Sequence, residues 1–104
     1  MQYRSTRGGG SPVSGARAVL TGLAPDGGLY LPESIPEFDW RGCVMNDTMT
    51  IAARILTAFL PDIPDMQGLV KQAYTGKFET DTLTPIVSVG DFSVLELFSS
   101  VNLY

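Results

Sequence analysis

The sequence predicts a small domain of the α+β class (mixed α/β), with about three helices, short strands and a C-terminal β-hairpin. Three observations carry that expectation. Apolar residues recur at helical spacing in three stretches, from Ala16 to Leu23, from Ile51 to Leu60 and from Met66 to Tyr74. Two runs rich in β-branched and aromatic residues, Ile86–Val89 and Phe92–Phe98, flank Gly90-Asp91 in a hairpin pattern. Glycine and proline punctuate the chain between these blocks, as turns require.

Taken in order, Met1–Arg7 alternates in polarity and reads as a short strand, broken by Gly8-Gly9-Gly10. A helix follows. Ser11 or Ser14 can cap it, and Pro12 suits its first turn. Ala16, Val19, Leu20 and Leu23 then form one apolar stripe, and Gly22 ends or frays the helix. Pro25-Asp26-Gly27-Gly28 is a turn, because glycine accepts the positive φ of tight turns. Leu29-Tyr30-Leu31 is a short extended piece stopped by Pro32, and residues 33–40 read as loop. Asp47 or Thr48 can cap a second helix. Its wide apolar stripe of Ile51, Ala52, Ile55, Leu56, Phe59 and Leu60 predicts deep burial, and Pro61 stops it. Pro64 suits the start of a third helix, with Met66, Leu69, Val70, Ala73 and Tyr74 at helical spacing and Gly76 as its cap. Gly68 inside that helix costs about 1 kcal/mol relative to alanine. Pro85 opens the final hairpin.

Composition narrows the function classes. The chain of 104 residues suits one small domain or one piece of a larger one. At 44% hydrophobic and 17% charged residues it reads as globular, with a thin stability margin and a surface fit to meet another domain. The net charge is −4 with no basic stripe, which argues against nucleic-acid binding. No apolar run reaches the roughly 18–20 residues of a membrane span. Arg4 and Arg7 lack the apolar stretch of a secretory signal behind them. The lone Cys43 excludes an internal disulfide, so cytoplasm is the expected compartment. Histidine is absent, which removes Ser-His and Cys-His nucleophile pairs and the usual zinc ligands.

Each candidate for chemistry has a competing structural reading. Gly8-Gly9-Gly10-Ser11 precedes a helix but matches no phosphate-binding pattern, so it reads as a loop. Ser5-Thr6-Arg7-Gly8 offers two hydroxyls and a guanidinium that could grip a phosphate or carboxylate, against a role in holding loops or domains together. Asp26 has no partner acid or base and reads as a turn residue. Cys43 has no histidine to activate it. A Schiff-base lysine needs burial and a cofactor pocket. Lys71, one residue past Leu69-Val70, is expected to face water, and Lys77 follows a helix-ending glycine. The aromatics Phe38, Trp40, Phe59, Tyr74, Phe78, Phe92 and Phe98 read as core or interface. No residue is assigned a catalytic, cofactor-binding or metal role.

Three segments, in this order and spacing, give the chain a family resemblance. They are Tyr3-Arg4-Ser5-Thr6-Arg7-Gly8, the run from Gly22 to Glu33 with Leu23-Ala24-Pro25-Asp26-Gly27-Gly28-Leu29-Tyr30 inside it, and Leu95-Glu96-Leu97-Phe98. Ala73-Tyr74 before Phe78 fits the same pattern. The chain resembles the N-terminal part of threonine synthase from Tyr3 to Phe98. The resemblance implies a lyase that uses pyridoxal phosphate to convert O-phosphohomoserine and water to threonine and phosphate. It also implies the fold shared with tryptophan synthase β, with a small N-terminal α/β domain packed against the cofactor-binding domains.

In that family the Leu-Glu-Leu-Phe strand runs into a HGPTLAFKD-type segment whose lysine forms the Schiff base. Here Ser99, Ser100, Val101 and Asn102 stand at that place, and no lysine follows. The expected organisation is a threonine synthase N-terminal-like domain over 1–98 and a divergent or truncated tail over 99–104. The expected cofactor of this chain is none, with pyridoxal phosphate belonging to the full-length family. The expected partner is the catalytic domain of the same enzyme. A free-standing interaction module is the alternative. Apolar residues on both faces of Val94–Phe98 then predict a homodimer through this edge, which Leu97→Lys should break.

Overall fold

The computed structural model describes residues 1–75 and 86–96. The expected cap at Gly76, Lys77, Phe78, Pro85 and everything from Leu97 onward lie outside them. The chain divides into two compact units, 1–67 and 68–104.

The first unit is built on strand β1 (Gln2–Ser5), the centre of a three-stranded antiparallel sheet. On one side it pairs with β2 (Val13–Ser14), Tyr3 opposite Val13. On the other it pairs with β3 (Tyr30–Pro32), Arg4 opposite Leu31. Alternation along β1 buries Tyr3 and leaves Arg4 in solvent. Between β1 and β2 the chain reverses through Gly8 and Gly10, whose φ values of 78° and 76° favour glycine.

Helix α1 (Gly15–Thr21) starts three residues later than Pro12 suggests, because β2 keeps the chain extended up to Ser14. Ser14 is the cap: its Oγ accepts from Arg17 N at 3.2 Å. The helix ends at Gly22 (φ 76°), whose N–H donates to Ala18 O. The apolar stripe of α1 faces the other way from the sequence expectation. Gly15 and Ala18 are buried, while Val19, Leu20 and Leu23 are exposed, Leu20 at 83%. The reason is steric. A Cβ on Gly15 would lie 2.7 Å from Leu60 Cδ2 and 3.4 Å from the Tyr3 ring, so the small-residue side alone can approach the sheet.

A 3₁₀ turn at Arg41–Cys43, just past the stretch 33–40 read as loop, leads to α2 (Thr48–Phe59). Asp47 caps α2, its Oδ1 accepting from Thr50 N at 2.8 Å. Leu60 caps the other end ahead of Pro61. The deep burial expected of α2 is not what forms. Ala53 alone is buried, Ile51, Ala52, Leu56 and Phe59 are half-buried and Ile55 is exposed. Three long-range bonds cross this unit. Tyr3 Oη donates to Phe59 O at 2.5 Å, Ala16 N donates to Asp62 Oδ2 at 2.9 Å, and Gln2 N donates to Glu33 Oε1 at 3.1 Å.

Helix α3 (Met66–Tyr74) follows Asp65, which sits at φ 52°. Met66 and Val70, one turn apart, are its buried residues, and Leu69 is exposed. The second unit holds the expected hairpin, β4 (Ile86–Val89) antiparallel to β5 (Phe92–Leu95) around Gly90-Asp91. The mixed α and β class is as read from the sequence: three α-helices and short antiparallel strands among the described residues.

Candidate functional site

The residues of the Ser-Thr-Arg-Gly segment meet the Pro-Asp-Gly-Gly turn at one end of the sheet. Asp26 is the hub. Its Oδ1 accepts from Ser5 Oγ at 2.6 Å and from Gly28 N at 3.0 Å, and its Oδ2 accepts from Gly9 N at 2.9 Å. Ser5 Oγ also accepts from Arg7 N, and Thr6 Oγ1 accepts from Leu29 N. Arg7 Nη1 donates to the Asp26 carbonyl at 3.1 Å, and a Cβ on Gly27 would come within 3.0 Å of it. A Cβ on Gly28 would fall on Ser5 Oγ, so the two loops are as close as glycine allows. These donors, the Ser5 hydroxyl first, then the Gly28 and Gly9 amides, with the Arg7 charge beside them, hold the Asp26 carboxyl below the ordinary carboxylate range.

This geometry shows what Ser5-Thr6-Arg7-Gly8 binds within the chain. Both hydroxyls are engaged by the protein's own backbone and by Asp26, and Asp26 places a negative charge beside Arg7. The cluster is a clamp between loops 5–9 and 26–29. Asp26 is a turn residue whose carboxylate accepts three hydrogen bonds from donors in both loops.

The other candidates stay apart. Cys43 is buried, with its thiol 3.7 Å from Asp39 O. Lys71, in the last turn of α3, is exposed, as expected. A pyridoxal-phosphate lysine needs enclosure, and the exposed Lys71 has none. Among the described residues no group of three or more His, Cys, Asp or Glu can hold a metal ion.

Sequence reasoning missed two grooves on the first unit. One, about 390 Å³, is apolar and runs over α1, lined by Tyr3, Ala18, Val19, Leu29 and Leu60. The other, about 460 Å³, is lined by Phe38, Thr50, Ala53, Arg54, Thr57 and Gln67. Arg54 stands 5.9 Å from the Phe38 ring centroid and donates to Gly42 O at 3.2 Å. Nearby, Arg41 stacks 4.5 Å above the exposed Trp40 ring. The spacing of Thr50, Ala53, Arg54 and Thr57 along one face of α2 was a signal for the second groove, but it resembles an ordinary helix face.

Comparison with known proteins adds the following. The family model described as threonine synthase N terminus matches residues 2–74. The threonine synthase of Corynebacterium glutamicum is 36% identical over 102 residues, covering 88% of this chain and 21% of that protein. That of Saccharomyces cerevisiae is 37% identical and covers 92% of this chain, again 21% of the relative. Among solved structures, pyridoxal-phosphate-bound threonine synthase from Brucella melitensis superposes with a TM-score of 0.79 at 36% identity, over 96% of this chain and 23% of that one. The Escherichia coli enzyme gives a TM-score of 0.68 at 29% identity, over 92% and 23%. The chain therefore spans about a fifth of the length of the relatives it matches.

Proposed function

The chain belongs to the threonine synthase family, matching its N-terminal part, and from that premise we propose that it is the docking part of a threonine-forming lyase. In this reading the whole enzyme converts O-phosphohomoserine and water to threonine and phosphate. Pyridoxal phosphate would supply the electron sink, held by residues outside this chain. The chain's own residues contribute no catalytic group. They form the part that packs against the cofactor-binding part.

One observation carries this reading: the apolar stripe of α1 faces outward. Val19, Leu20 and Leu23 are exposed, and Leu29 lies exposed beside them on the wall of the same groove as Val19. Apolar residues at regular helical spacing are normally a core signature. Presented to water, they mark a surface that another body covers. The clamp of Asp26 on loops 5–9 and 26–29 supports this role, since it stiffens the edge of the sheet without using a ligand. The cytoplasm suits such a biosynthetic enzyme, and no helix among the described residues is long and apolar enough to cross a membrane.

A free-standing module that self-associates is the second reading. The exposed strands β4 and β5, which pair only with each other among the described residues, favour it.

The test joins this chain to the part of the Corynebacterium glutamicum enzyme that lies beyond its matched residues. The expected result is threonine formation from O-phosphohomoserine by the chimera and none by the chain alone. Threonine formation by the chain alone, or a folded chimera without activity, would sink the proposal. A constant dimer mass for the chain across dilution would favour the second reading.

A further inference from the structure

Asp26-Gly27 is the only Asp-Gly pair of the chain, and it sits in the turn that the clamp holds. Such a pair carries a chemical hazard. With no side chain on the glycine, its backbone nitrogen can reach the aspartate Cγ and close a five-membered succinimide ring. The glycine is not freely exchangeable, because Gly27 sits at φ 82°, where a larger residue is strained. A Cβ there would also lie 3.0 Å from Arg7 Nη1. The fold instead restrains both reacting groups. The Gly27 N–H donates to Ala24 O at 2.9 Å. The half-buried Asp26 carboxylate is held by Ser5 Oγ and Gly28 N on Oδ1 and by Gly9 N on Oδ2. Closing the ring means turning Cγ onto Gly27 N and giving up these bonds.

We propose that Asp26-Gly27 is a latent isoaspartate site, kept silent by the bonds of Asp26 to Ser5, Gly9 and Gly28 and opened when they are lost. The chemistry needs only water. Gly27 N attacks Asp26 Cγ, the new N–C bond forms, the amide proton passes to solvent, and one carboxyl oxygen leaves as water. A second water then opens the ring at either carbonyl carbon. Attack at Cγ restores aspartate. Attack at the backbone carbonyl carbon leaves the chain running through Cγ, which is isoaspartate, with no net change of mass. The carboxyl oxygen leaves as water only once protonated, and the same donors favour the ionised form of Asp26. The product cannot rebuild the clamp. Its free carboxylate sits directly on Cα, one methylene shorter than before, and the main chain is one methylene longer. Its oxygens then no longer reach Ser5 and Gly9 together, so a single reacted opening releases loops 5–9 and 26–29 from each other. This site is independent of the docking role proposed above.

The experiment incubates the chain at neutral pH and reads isoaspartate at Asp26 by mass spectrometry with electron-transfer fragmentation, which separates the two isomers. It compares folded wild type, wild type unfolded in guanidinium, and Ser5→Ala, with circular dichroism recording which of them are folded. Reaction in the folded chain passes through the locally opened fraction. Folded wild type should therefore accumulate isoaspartate at least about tenfold more slowly than the unfolded chain. Folded Ser5→Ala should react about fivefold faster than folded wild type, as the loss of one hydrogen bond gives. If Ser5→Ala unfolds, the ratio between folded and unfolded wild type decides alone. Equal rates in folded and unfolded wild type overturn the proposal, because the clamp then protects nothing. An unfolded chain that forms no isoaspartate also overturns it, because the site is then not latent. A folded Ser5→Ala that reacts at the wild-type rate overturns the assignment of the protection to the clamp.

Discussion

Replacing Tyr3 by phenylalanine removes one oxygen from a buried residue of the central strand. Tyr3 is 8% exposed, its ring lies against Gly15, and its hydroxyl donates to Phe59 O at 2.5 Å. That carbonyl belongs to the last turn of α2, where backbone acceptors have no partner within the helix. The bond therefore ties the sheet to a helix end that needs a donor. A typical intramolecular hydrogen bond contributes about 0.5–1.5 kcal/mol net, and an acceptor left buried costs about 1–3 kcal/mol. Phe59 is half-buried, so water can reach part of the vacated position and the loss falls at the lower end. We expect Tyr3→Phe to cost about 1 kcal/mol. For a domain near this size that is a fall in Tm of roughly 4–8 °C.

Urea unfolding followed by circular dichroism measures this directly. The midpoint should fall with the slope unchanged, since the phenyl ring keeps its packing. Tyr3→Ala, which also removes the ring, should cost about 3–5 kcal/mol. The hydroxyl adds a pH signature. Burial, and then the charge of Asp62, push the Tyr3 phenol above its ordinary value of 10.0. A phenol whose pKa is raised on folding contributes stability that is complete below pH 10.0 and is lost as pH rises through its folded value. Wild type should therefore lose stability above about pH 10 more steeply than Tyr3→Phe. An unchanged urea midpoint together with identical alkaline profiles would refute the argument that this hydroxyl holds α2 to the sheet.

The remaining predictions concern the clamp, the caps and the outward stripe. Asp26→Asn removes an acceptor that the Gly9 amide uses, so amide exchange at Gly9 and Gly28 should speed up. Because folding lowers the Asp26 pKa, its contribution is present above 3.8 and fades as pH falls through the folded value. Acid unfolding should be less steep in Asp26→Asn than in wild type. Gly28→Ala forces a methyl onto Ser5 Oγ and should destabilise by about 1–3 kcal/mol in thermal unfolding. Asp47→Ala should cost about 1 kcal/mol as a lost cap, and Asp47→Asn only a few tenths, by the same measurement. Leu20→Lys should change the stability of the chain alone by less than about 0.5 kcal/mol and lower that of the active chimera clearly more, with equal shifts in both counting against the docking role.

Local signals were legible wherever the local chemistry decided the outcome. Ser14 and Asp47 cap their helices, Gly22 ends the first, Asp26-Gly27 turns the chain, and Gly90-Asp91 closes the hairpin. Each depends on a backbone need met within a few residues. Long-range chemistry was not legible. Tyr3 reaches Phe59 across 56 positions and Asp62 reaches Ala16 across 46, with no motif to announce either. β2 is two residues long and exists because β1 offers an edge. For the candidate site, the sequence singled out Ser5–Gly8 as a segment with two possible roles. Only its placement against Asp26 showed that its hydroxyls serve the fold.

The inverted stripe of α1 shows why periodicity identifies a buried face without saying what buries it. Val19, Leu20 and Leu23 satisfy the spacing rule for a core helix, yet the inner face of α1 is Gly15 and Ala18. Both statements hold if the helix lies between two bodies, the small residues packing on its own sheet and the large ones reserved for the other. The same division appears in α2, with Ala53 buried and Ile55 exposed, and in the hairpin, where a wholly apolar face stands in solvent. The buried residues of the first unit are alanines and glycines with Tyr3, Cys43 and Met66, which bury little area, so the unit draws a large share of its order from directional bonds such as those of Tyr3, Asp26 and Asp62. A domain organised this way keeps its shape while leaving its largest apolar side chains available. On this argument the outward residues should tolerate polar substitution in the chain alone, while the hydrogen-bonded residues should not.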